Sequence, residues 1–275
     1  MTTTTDDAAA LVGRLERFYD TVPRAGARAE HVGPFTVFVP ERGDFPLYAR
    51  PTPGAAVFTV ADVAAVRDRQ RVLGVPEAFE WQHEATPALA GVLRAAGLHV
   101  HDHPLQVLTG GLRAGRTPHG VVLRQLTPDD PDELYVVARA VAEVGFAHDG
   151  TGTGDAGLDA RRTAADGISA DAVDSTRRRV AAGDGHVVLA LVDDEPVAVA
   201  SSQLASGVAE IVGVATLPAF RRRGLGAAAT ACVVEAALGS GVDTVFLSAG
   251  DDDVARMYAA LGFVRVGTAG IAEAR

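Results

Sequence analysis

The chain has 275 residues, of which 48% are hydrophobic and 22% charged, and these proportions exclude a disordered or fibrous protein. Its formal charge of -10 argues against general binding to nucleic-acid backbones, because such binding depends on clustered cationic side chains. The sequence contains no lysine, which excludes Schiff-base catalysis and a Walker-type phosphate lysine. An acidic surface would suit a cationic substrate.

The sequence also predicts a compartment. No apolar run approaches the roughly 18 residues of a membrane-spanning helix, so we expect no membrane partner. The first seven residues lack the basic and apolar regions of a signal peptide. A single cysteine, Cys232, excludes a disulfide within the chain. These features together predict a cytoplasmic protein.

The N-terminal half alternates helical and extended segments. Apolar spacing predicts helices over 7–19, 61–73 and 86–93. Short apolar segments bounded by proline and glycine predict strands over 35–39, 55–60, 79–81 and 98–108. The glycine-rich, weakly apolar segment 109–120 then predicts a linker. We therefore expect two α/β domains, 1–115 and 116–275.

The C-terminal half has more elements. Strands are predicted over 121–126, 186–192, 196–204, 208–216, 243–248 and 264–266. Helices are predicted from the acidic segment 127–133 to about residue 144, over 170–182, from the turn at 221–226 to 239, and over 251–261. The glycine-rich run 149–157 predicts a mobile loop.

The turn at 221–226 joins the strand over 208–216 to a helix. The first amides of a helix have no acceptor within it, and the helix dipole adds partial positive charge at that end. Gly224 and Gly226 leave room for phosphate oxygens to approach the backbone, and three consecutive arginines beside them can pair with phosphate. The turn therefore predicts a phosphate site.

Two motifs in this half resemble those of the GNAT acetyltransferase superfamily. Arg221, Gly224 and Gly226 resemble its acyl-CoA motif, which is Arg or Gln, two residues, Gly, one residue, and Gly or Ala. Tyr258 and the Gly262-Phe263 pair resemble its Leu-Tyr, three residues, Gly-Phe signature, with Met257 in place of leucine. The resemblance covers about residues 121–267. The turn fits a dinucleotide-binding motif less well, because that motif requires a third glycine, which the turn lacks, and a later acidic residue.

This resemblance implies an α/β fold with a mixed, mostly antiparallel sheet flanked by helices, preceded by a second α/β domain. It implies acetyl-CoA as cosubstrate, an amine acceptor that is a small molecule or a peptide, and no metal. The residues that it implies at the cosubstrate are Val214, Ala215, Thr216, Arg221, Arg222, Arg223, Gly224, Leu225, Gly226, Ala227 and Asp251.

Acetyl transfer requires a neutral amine, whereas an ammonium with a reference pKa of about 10.4 is almost wholly protonated at neutral pH. Glu210 is the expected general base, because a charge between Ala209 and Ile211 would be unusual unless it pointed into a cleft. Its position resembles that of the general base in histone-type members of the family. The alternative is an edge-strand glutamate that faces solvent.

Tyr258 matches the family tyrosine that commonly donates its phenolic proton to the departing CoA thiolate, and the alternative is a half-buried aromatic residue. A backbone amide near Val214 is expected to stabilise the oxyanion. The backbone of 214–216 would pair with the pantetheine arm like an added strand. Two departures from the family's pattern weaken the assignment of the family's residue roles to this chain. Asp251 stands where the family often has an asparagine, and Phe246 stands where some members have a second acidic base.

Other interpretations remain beside this one. His99, His101 and His103 alternate on a predicted strand and have the residue type that binds zinc, but no second histidine cluster accompanies them. Cys232 lies among small apolar residues and is expected in the core. The N-terminal half lacks the acyl-CoA motif; as a degenerate copy of the fold it would shape the acceptor site or a homodimer. A non-catalytic acyl-CoA sensor or partner-binding module is the competing functional class.

Overall fold

The computed structural model describes residues 5–41, 47–113, 117–148 and 150–274, except the side chains of residues 5 and 6. Its helices are α1 (Thr5–Thr21), α2 (Val60–Leu73), α3 (Leu89–Ala95), α4 (Asp132–Phe146), α5 (Leu158–Ala165), α6 (Ala170–Ala182), α7 (Leu225–Gly239) and α8 (Asp252–Ala260). Its strands are β1 (Ala27–Val32), β2 (Phe35–Pro40), β3 (Arg50–Pro51), β4 (Ala78–Gln82), β5 (His99–Leu108), β6 (Val121–Gln125), β7 (Val187–Val192), β8 (Glu195–Ala205), β9 (Val208–Thr216), β10 (Thr244–Ser248) and β11 (Phe263–Glu273). Short 3₁₀ helices cover Val22–Ala25 and Pro218–Phe220.

Residue contacts divide the chain into two compact units. The N-terminal unit is Met1–Leu105 with Arg265–Arg275, and the C-terminal unit is Gln106–Val264. The boundary predicted between residues 115 and 116 lies outside the described residues, as does the predicted start of the loop at Asp149. The division into domains 1–115 and 116–275 therefore stays a proposal.

The N-terminal unit contains helices and two sets of strands. β1, β2 and β3 form an antiparallel sheet, while β4, β11 and β5 are neighbours in that order. β4 pairs antiparallel with β11, from Ala78 opposite Glu273 to Gln82 opposite Ala269. The core of this unit gathers apolar side chains from β2, β4, α2 and α3, among them Phe35, Val37, Val63, Val66, Phe79, Trp81, Leu89 and Leu93. The predicted second α/β domain is thus confirmed as an α/β unit.

The strand predicted over 55–60 is wrong. Residues 55–59 form no strand, and Val57 is 77% exposed. Thr59 instead opens α2 through a capping box: its backbone N–H donates to the Asp62 carboxylate at 2.8 Å, and the Asp62 N–H donates to Thr59 Oγ1 at 3.2 Å. These reciprocal bonds satisfy the first amides of the helix, so they favour a helix start over an extended segment.

The C-terminal unit is built on a mixed sheet in the order β10-β9-β8-β7-β6. Antiparallel pairing joins β6 to β7, β7 to β8 and β8 to β9, while β9 and β10 run parallel. The core combines sheet residues with α4 and α7, including Tyr135, Val141, Val188, Leu189, Val197, Val199, Ile211, Leu225 and Val233. This architecture confirms the fold class predicted from the sequence.

Candidate active site

β9 and β10 pair over a short distance only. Their parallel register runs from Val208 opposite Thr244 to Glu210 opposite Phe246, and within the described strands it stops there. β9 continues to Thr216. The second half of β9 therefore has an edge that β10 does not cover, and such an edge presents backbone donors and acceptors to a strand-like ligand.

A bulge bends β9 within this uncovered half. Val199 of β8 lies opposite Ala215, and Ser201 lies opposite Val212, so the two residues between Val212 and Ala215 face a single residue of β8. Gly213 has a φ of +63°, in the left-handed region that favours glycine. A bulge leaves backbone groups outside the regular ladder. The amide that the sequence predicts as oxyanion donor, near Val214, lies at this bulge.

Glu210 is the last residue of β9 that pairs with strands on both sides. It lies opposite Gln203 of β8 and opposite Phe246 of β10. Its side chain is half-buried, and Ala209 and Ile211 beside it are buried on the other face of the strand. The alternative of an edge-strand glutamate is therefore wrong, because this position is interior to the sheet.

The turn before α7 has the geometry of an anion site. Arg222 and Gly224 both adopt the left-handed conformation, with φ of +64° and +78°. Gly224 is the N-cap of α7 and makes no side-chain capping bond, so the amides of Leu225, Gly226 and Ala227 have no acceptor within the helix. Those amides and the positive end of the helix dipole would stabilise an anion bound at this turn.

Gly226 connects three of the predicted site segments. A Cβ atom on Gly226 would lie 3.4 Å from Thr216 Oγ1 and 3.9 Å from both Val214 Cγ1 and Met257 Sδ. The end of β9, the start of α7 and the middle of α8 therefore meet at this residue. The structure thus brings together the two sequence motifs that resemble the GNAT signatures.

The Arg221 guanidinium donates hydrogen bonds to four backbone carbonyls. Its Nη2 donates to Gly145 O and His148 O at 2.8 Å each, its Nη1 to Gly152 O at 3.1 Å, and its Nε to Thr216 O at 3.3 Å. Gly145 and His148 lie at the C-terminal end of α4, where carbonyls lack partners and a cation complements the dipole. The expectation that this guanidinium pairs with phosphate is therefore replaced by a capping role.

Replacing Arg221 by Leu should destabilise the protein by about 2–4 kcal/mol, because several charge-assisted bonds to carbonyls are lost together. Urea unfolding followed by circular dichroism measures this change. Replacing the neighbouring Arg222 by Gly is the matched control. It should raise stability by about 1 kcal/mol, since glycine relieves the left-handed backbone. Equal effects of both substitutions would contradict the capping role.

Asp251 also has a structural task. Its carboxylate accepts a hydrogen bond from Val254 N at 2.8 Å and caps α8. Arg223 lies with its guanidinium 5.1 Å from the Phe220 ring centroid and is exposed. The Asp251 carboxylate would have to leave the α8 cap, at least in part, to contact the cosubstrate as predicted. Arg222 and Arg223 are exposed cations beside the turn.

Tyr258 lies on α8 and is 5% exposed. Its ring packs edge-to-face on Phe263 at a centroid distance of 6.0 Å. Burial raises the pKa of the Tyr258 phenol further above neutral pH, where the phenol is already protonated at its ordinary pKa of about 10. A protonated phenol can donate a hydrogen bond to a developing thiolate.

The structure gives little support to a metal site at the three alternating histidines or to a reactive thiol at Cys232. Within the described part of the chain, no group of three or more His, Cys, Asp or Glu residues is arranged to hold a metal ion. His101 is exposed, while His99 and His103 are half-buried. Burial and the nearby Glu235 raise the pKa of the Cys232 thiol, which disfavours the reactive thiolate.

Two glycines of this region were missed by sequence reasoning. Gly213 sits at the bulge, and a glycine inside a strand pattern is the signal that predicts such a bulge. Gly145 lies where α4 meets β9, since a Cβ atom there would be 2.7 Å from the Ala215 Cβ. Its only sequence signal is a glycine inside a helical pattern.

Comparison with known proteins agrees with this geometry. Residues 160–263 match the model of the acetyltransferase (GNAT) family. A GCN5-related N-acetyltransferase from Kribbella flavida is 26% identical, aligns over 96% of this chain and 96% of its own, and has a TM-score of 0.72. The chain therefore contains a GNAT domain in its C-terminal part.

Two further solved structures share the fold. A tandem GNAT protein from the clavulanic acid biosynthesis pathway is 16% identical, with coverage of 87% of this chain and 78% of its own and a TM-score of 0.54. A GCN5-related N-acetyltransferase-like protein from Streptococcus suis is 14% identical, with coverage of 98% and 100% and a TM-score of 0.58. A comparison with curated proteins found no significant match. Among the described helices, none has both the length and the apolar character needed to span a membrane.

Proposed function

We propose that the protein transfers an acetyl or another short acyl group from acyl-CoA to a primary amine by direct attack. The observation that carries this proposal is the position of Glu210 where β10 stops pairing with β9. From that point, the uncovered edge of β9 leads through the bulge at Gly213 to the turn before α7. The Glu210 carboxylate, the edge of β9 that β10 does not cover and the anion site thus follow one another along β9 and the turn after it.

Each part has a task in the proposed binding of acyl-CoA. The first amides of α7, with Arg222 and Arg223 beside them, would hold the pyrophosphate. The backbone of Val214 to Thr216 would pair with the amides of the pantetheine arm. This arrangement directs the thioester toward the point where β9 and β10 diverge.

The chemistry then needs one base and two hydrogen-bond donors. Glu210, directly or through one water, takes a proton from the ammonium, and the neutral amine attacks the thioester carbon. The carbonyl oxygen becomes an oxyanion that an amide at the bulge stabilises. The C–S bond breaks and the thiolate leaves, while the amine nitrogen releases one of its two remaining protons to solvent and keeps the other as the amide N–H. Tyr258 donates a hydrogen bond to the thiolate, since a phenol with an ordinary pKa of about 10 is protonated at neutral pH.

Replacing Tyr258 by Phe should lower kcat by about 10- to 100-fold, because the variant loses one donor to the leaving group. The dissociation constant for acetyl-CoA should change by less than about threefold, since the ring and its packing on Phe263 remain. Steady-state kinetics and calorimetric titration measure the two quantities. A variant with unchanged kcat would contradict the donor role.

A thiol-release assay over an amine panel tests the proposed activity. The panel contains polyamines, aminoglycosides, amino acids and peptide N-termini, and the acidic character of the chain favours cationic acceptors. The proposal predicts amine-dependent release of CoA for at least one class. The competing function, a non-catalytic acyl-CoA sensor or partner-binding module, predicts acetyl-CoA binding without amine-dependent release.

A further inference from the structure

The Glu210 side chain points to the face of the C-terminal sheet that α4 covers. A Cβ atom on Gly145 of α4 would be 2.7 Å from the Ala215 Cβ, so Ala215 points toward α4. Ala215 lies opposite Val199 of β8, and Glu210 lies opposite Gln203 of the same strand. Opposite residues of an antiparallel pair share a face, and so do residues an even number apart on one strand. The bulge lies in β9 and leaves β8 regular, so Glu210 belongs to the α4 face.

Two arginines come from the helices on this side of the sheet. Arg139 belongs to α4, and Arg179 belongs to α6, which packs against α4. Burial lowers the pKa of the Arg179 guanidinium, and the charge of Arg139 lowers it further. Both guanidiniums stay protonated at neutral pH, because the ordinary pKa of arginine is above 12. Two positive charges therefore repel each other here.

Arg179 has no ion pair to offset this repulsion. It is half-buried, and it forms no hydrogen bond or ion pair with any residue in the described part of the chain. The charge of Asp184 acts in the opposite direction and is the weakest of the influences on its pKa. A partly desolvated cation without a partner is costly, and such groups are common where a protein binds a charged ligand. Arg179 therefore indicates a site for an anion.

The stem of Arg179 is held against the sheet. A Cβ atom on Gly185 would be 2.9 Å from Arg179 Cδ and 2.4 Å from Ser202 O of β8. Ser202 lies opposite Ile211, the residue after Glu210. Since neighbouring strands are about 4.8 Å apart, one to two strand spacings separate the guanidinium from Glu210, or roughly 5–10 Å. An amino acid with a hydrogen bond at each end spans roughly 8 Å.

We propose that the acceptor is a free amino acid, whose ammonium lies at Glu210 and whose carboxylate pairs with Arg179. This inference rests on the proposed acyl transfer and names its acceptor class. Glu210 takes a proton from the ammonium, the nitrogen forms the amide bond and the CoA thiolate leaves, while the carboxylate is unchanged. The acidic character of the whole chain does not decide the acceptor, because exposed charges more than about 10 Å away are largely screened by salt.

Paired acceptors test the proposed class. Thiol release is measured with each standard amino acid and, for every one that reacts, with its carboxamide. At least one amino acid should react, with a kcat/KM at least about tenfold above that of its carboxamide, because the carboxamide cannot form the charge-assisted pair. The two members of a pair have the same side chain, so the ratio reports the carboxylate alone.

Matched arginine variants test the site. Arg179→Met keeps an aliphatic stem against Gly185 and removes the charge, so kcat/KM for the amino acid should fall at least about tenfold. The value for its carboxamide should stay within about threefold, and Tm should be unchanged or raised. Arg179→Lys should restore part of the preference, since it restores the charge. Arg178→Met is the control, because Arg178 is exposed on the same helix and lies 3.8 Å from Asp171. It should leave both values unchanged.

Three results would overturn this inference. Polyamines, aminoglycosides or peptide N-termini react and no free amino acid does; the carboxamides react as well as the amino acids; or Arg179→Met keeps the wild-type preference. Amine-dependent thiol release persists in each of these cases, so the proposed acyl transfer stands. Absence of release with every acceptor would instead contradict the acyl transfer itself, and the acceptor class with it.

Discussion

Replacing Glu210 by Gln should lower kcat/KM for the amine by about 10²- to 10⁴-fold, the range associated with loss of a general base. The amide keeps the size of the side chain but cannot accept a proton. The dissociation constant for acetyl-CoA should stay within about threefold of the wild-type value, because the anion site and the strand edge are unchanged. Steady-state kinetics and calorimetry measure both quantities.

The pH profile sharpens the Glu210 prediction. In the wild type, kcat/KM should rise along an acidic limb and then level off, because the base takes the proton from the bound ammonium. The variant needs an amine that is already neutral, so its kcat/KM should keep rising toward the ammonium pKa of about 10.4. Glu235→Gln is the matched control, since Glu235 is an exposed glutamate on α7. It should leave rate and profile unchanged. A Glu210→Gln variant that retains the wild-type rate and acidic limb would show that another group is the base.

Replacing Gly226 by Val should weaken acetyl-CoA binding by at least about 100-fold. A Cβ atom here already touches Thr216, Val214 and Met257 at 3.4–3.9 Å, so the branched γ-carbons must turn toward the side where phosphate would approach. Gly226→Ala should be tolerated within about threefold, because its Cβ fits at contact distance. Titration of acetyl-CoA into each variant measures this graded loss.

The control for Gly226 lies at the other end of the same helix. Gly239 ends α7, and a Cβ atom there would meet nothing within 4 Å. Gly239→Ala should leave acetyl-CoA affinity unchanged. Circular dichroism of the Val variant checks that the fold is intact. Wild-type affinity in folded Gly226→Val would mean that acyl-CoA does not bind at this turn.

The sequence predicts helices better where an apolar stripe marks them. The helices predicted over 7–19, 61–73, 170–182 and 251–261 are confirmed to within two residues at each end. α5 was missed, because its only buried residue is Arg161. That guanidinium donates to Pro196 O and to the Glu195 carboxylate, both at 2.6 Å. A helix fixed by such distant contacts carries no apolar period to recognise.

Strands show the same limit. β1 was missed because Arg28, Glu30 and His31 interrupt its apolar pattern, and it forms by pairing with β2. Glu30 of β1 also accepts a hydrogen bond from Arg69 of α2 at 2.7 Å. β11 extends to Glu273, well beyond the predicted 264–266, since its later residues pair with β4. Long-range pairing decides these lengths, and no short window of sequence contains it.

For the candidate site, the sequence motifs predict which residues belong to it, and the structure shows what some of them contact. The chain order of Glu210, Arg221, Gly226 and Tyr258 was readable from the motifs. The structure adds that the β9–β10 register ends at Glu210 and that Arg221 caps α4, because both depend on residues far apart in sequence. Asp251 was predicted as a cosubstrate contact from its motif position, and its side chain caps α8.

The most direct test of the proposed transfer follows both products of one reaction. Protein, acetyl-CoA and an acceptor from the amine panel are incubated, and the free thiol and the acetylated amine are quantified together with the intact mass of the protein. Direct attack predicts equal amounts of thiol and acetylated amine, with the protein mass unchanged. Acetyl-CoA binding with no amine-dependent thiol release for any acceptor would contradict the proposed function and favour the sensor.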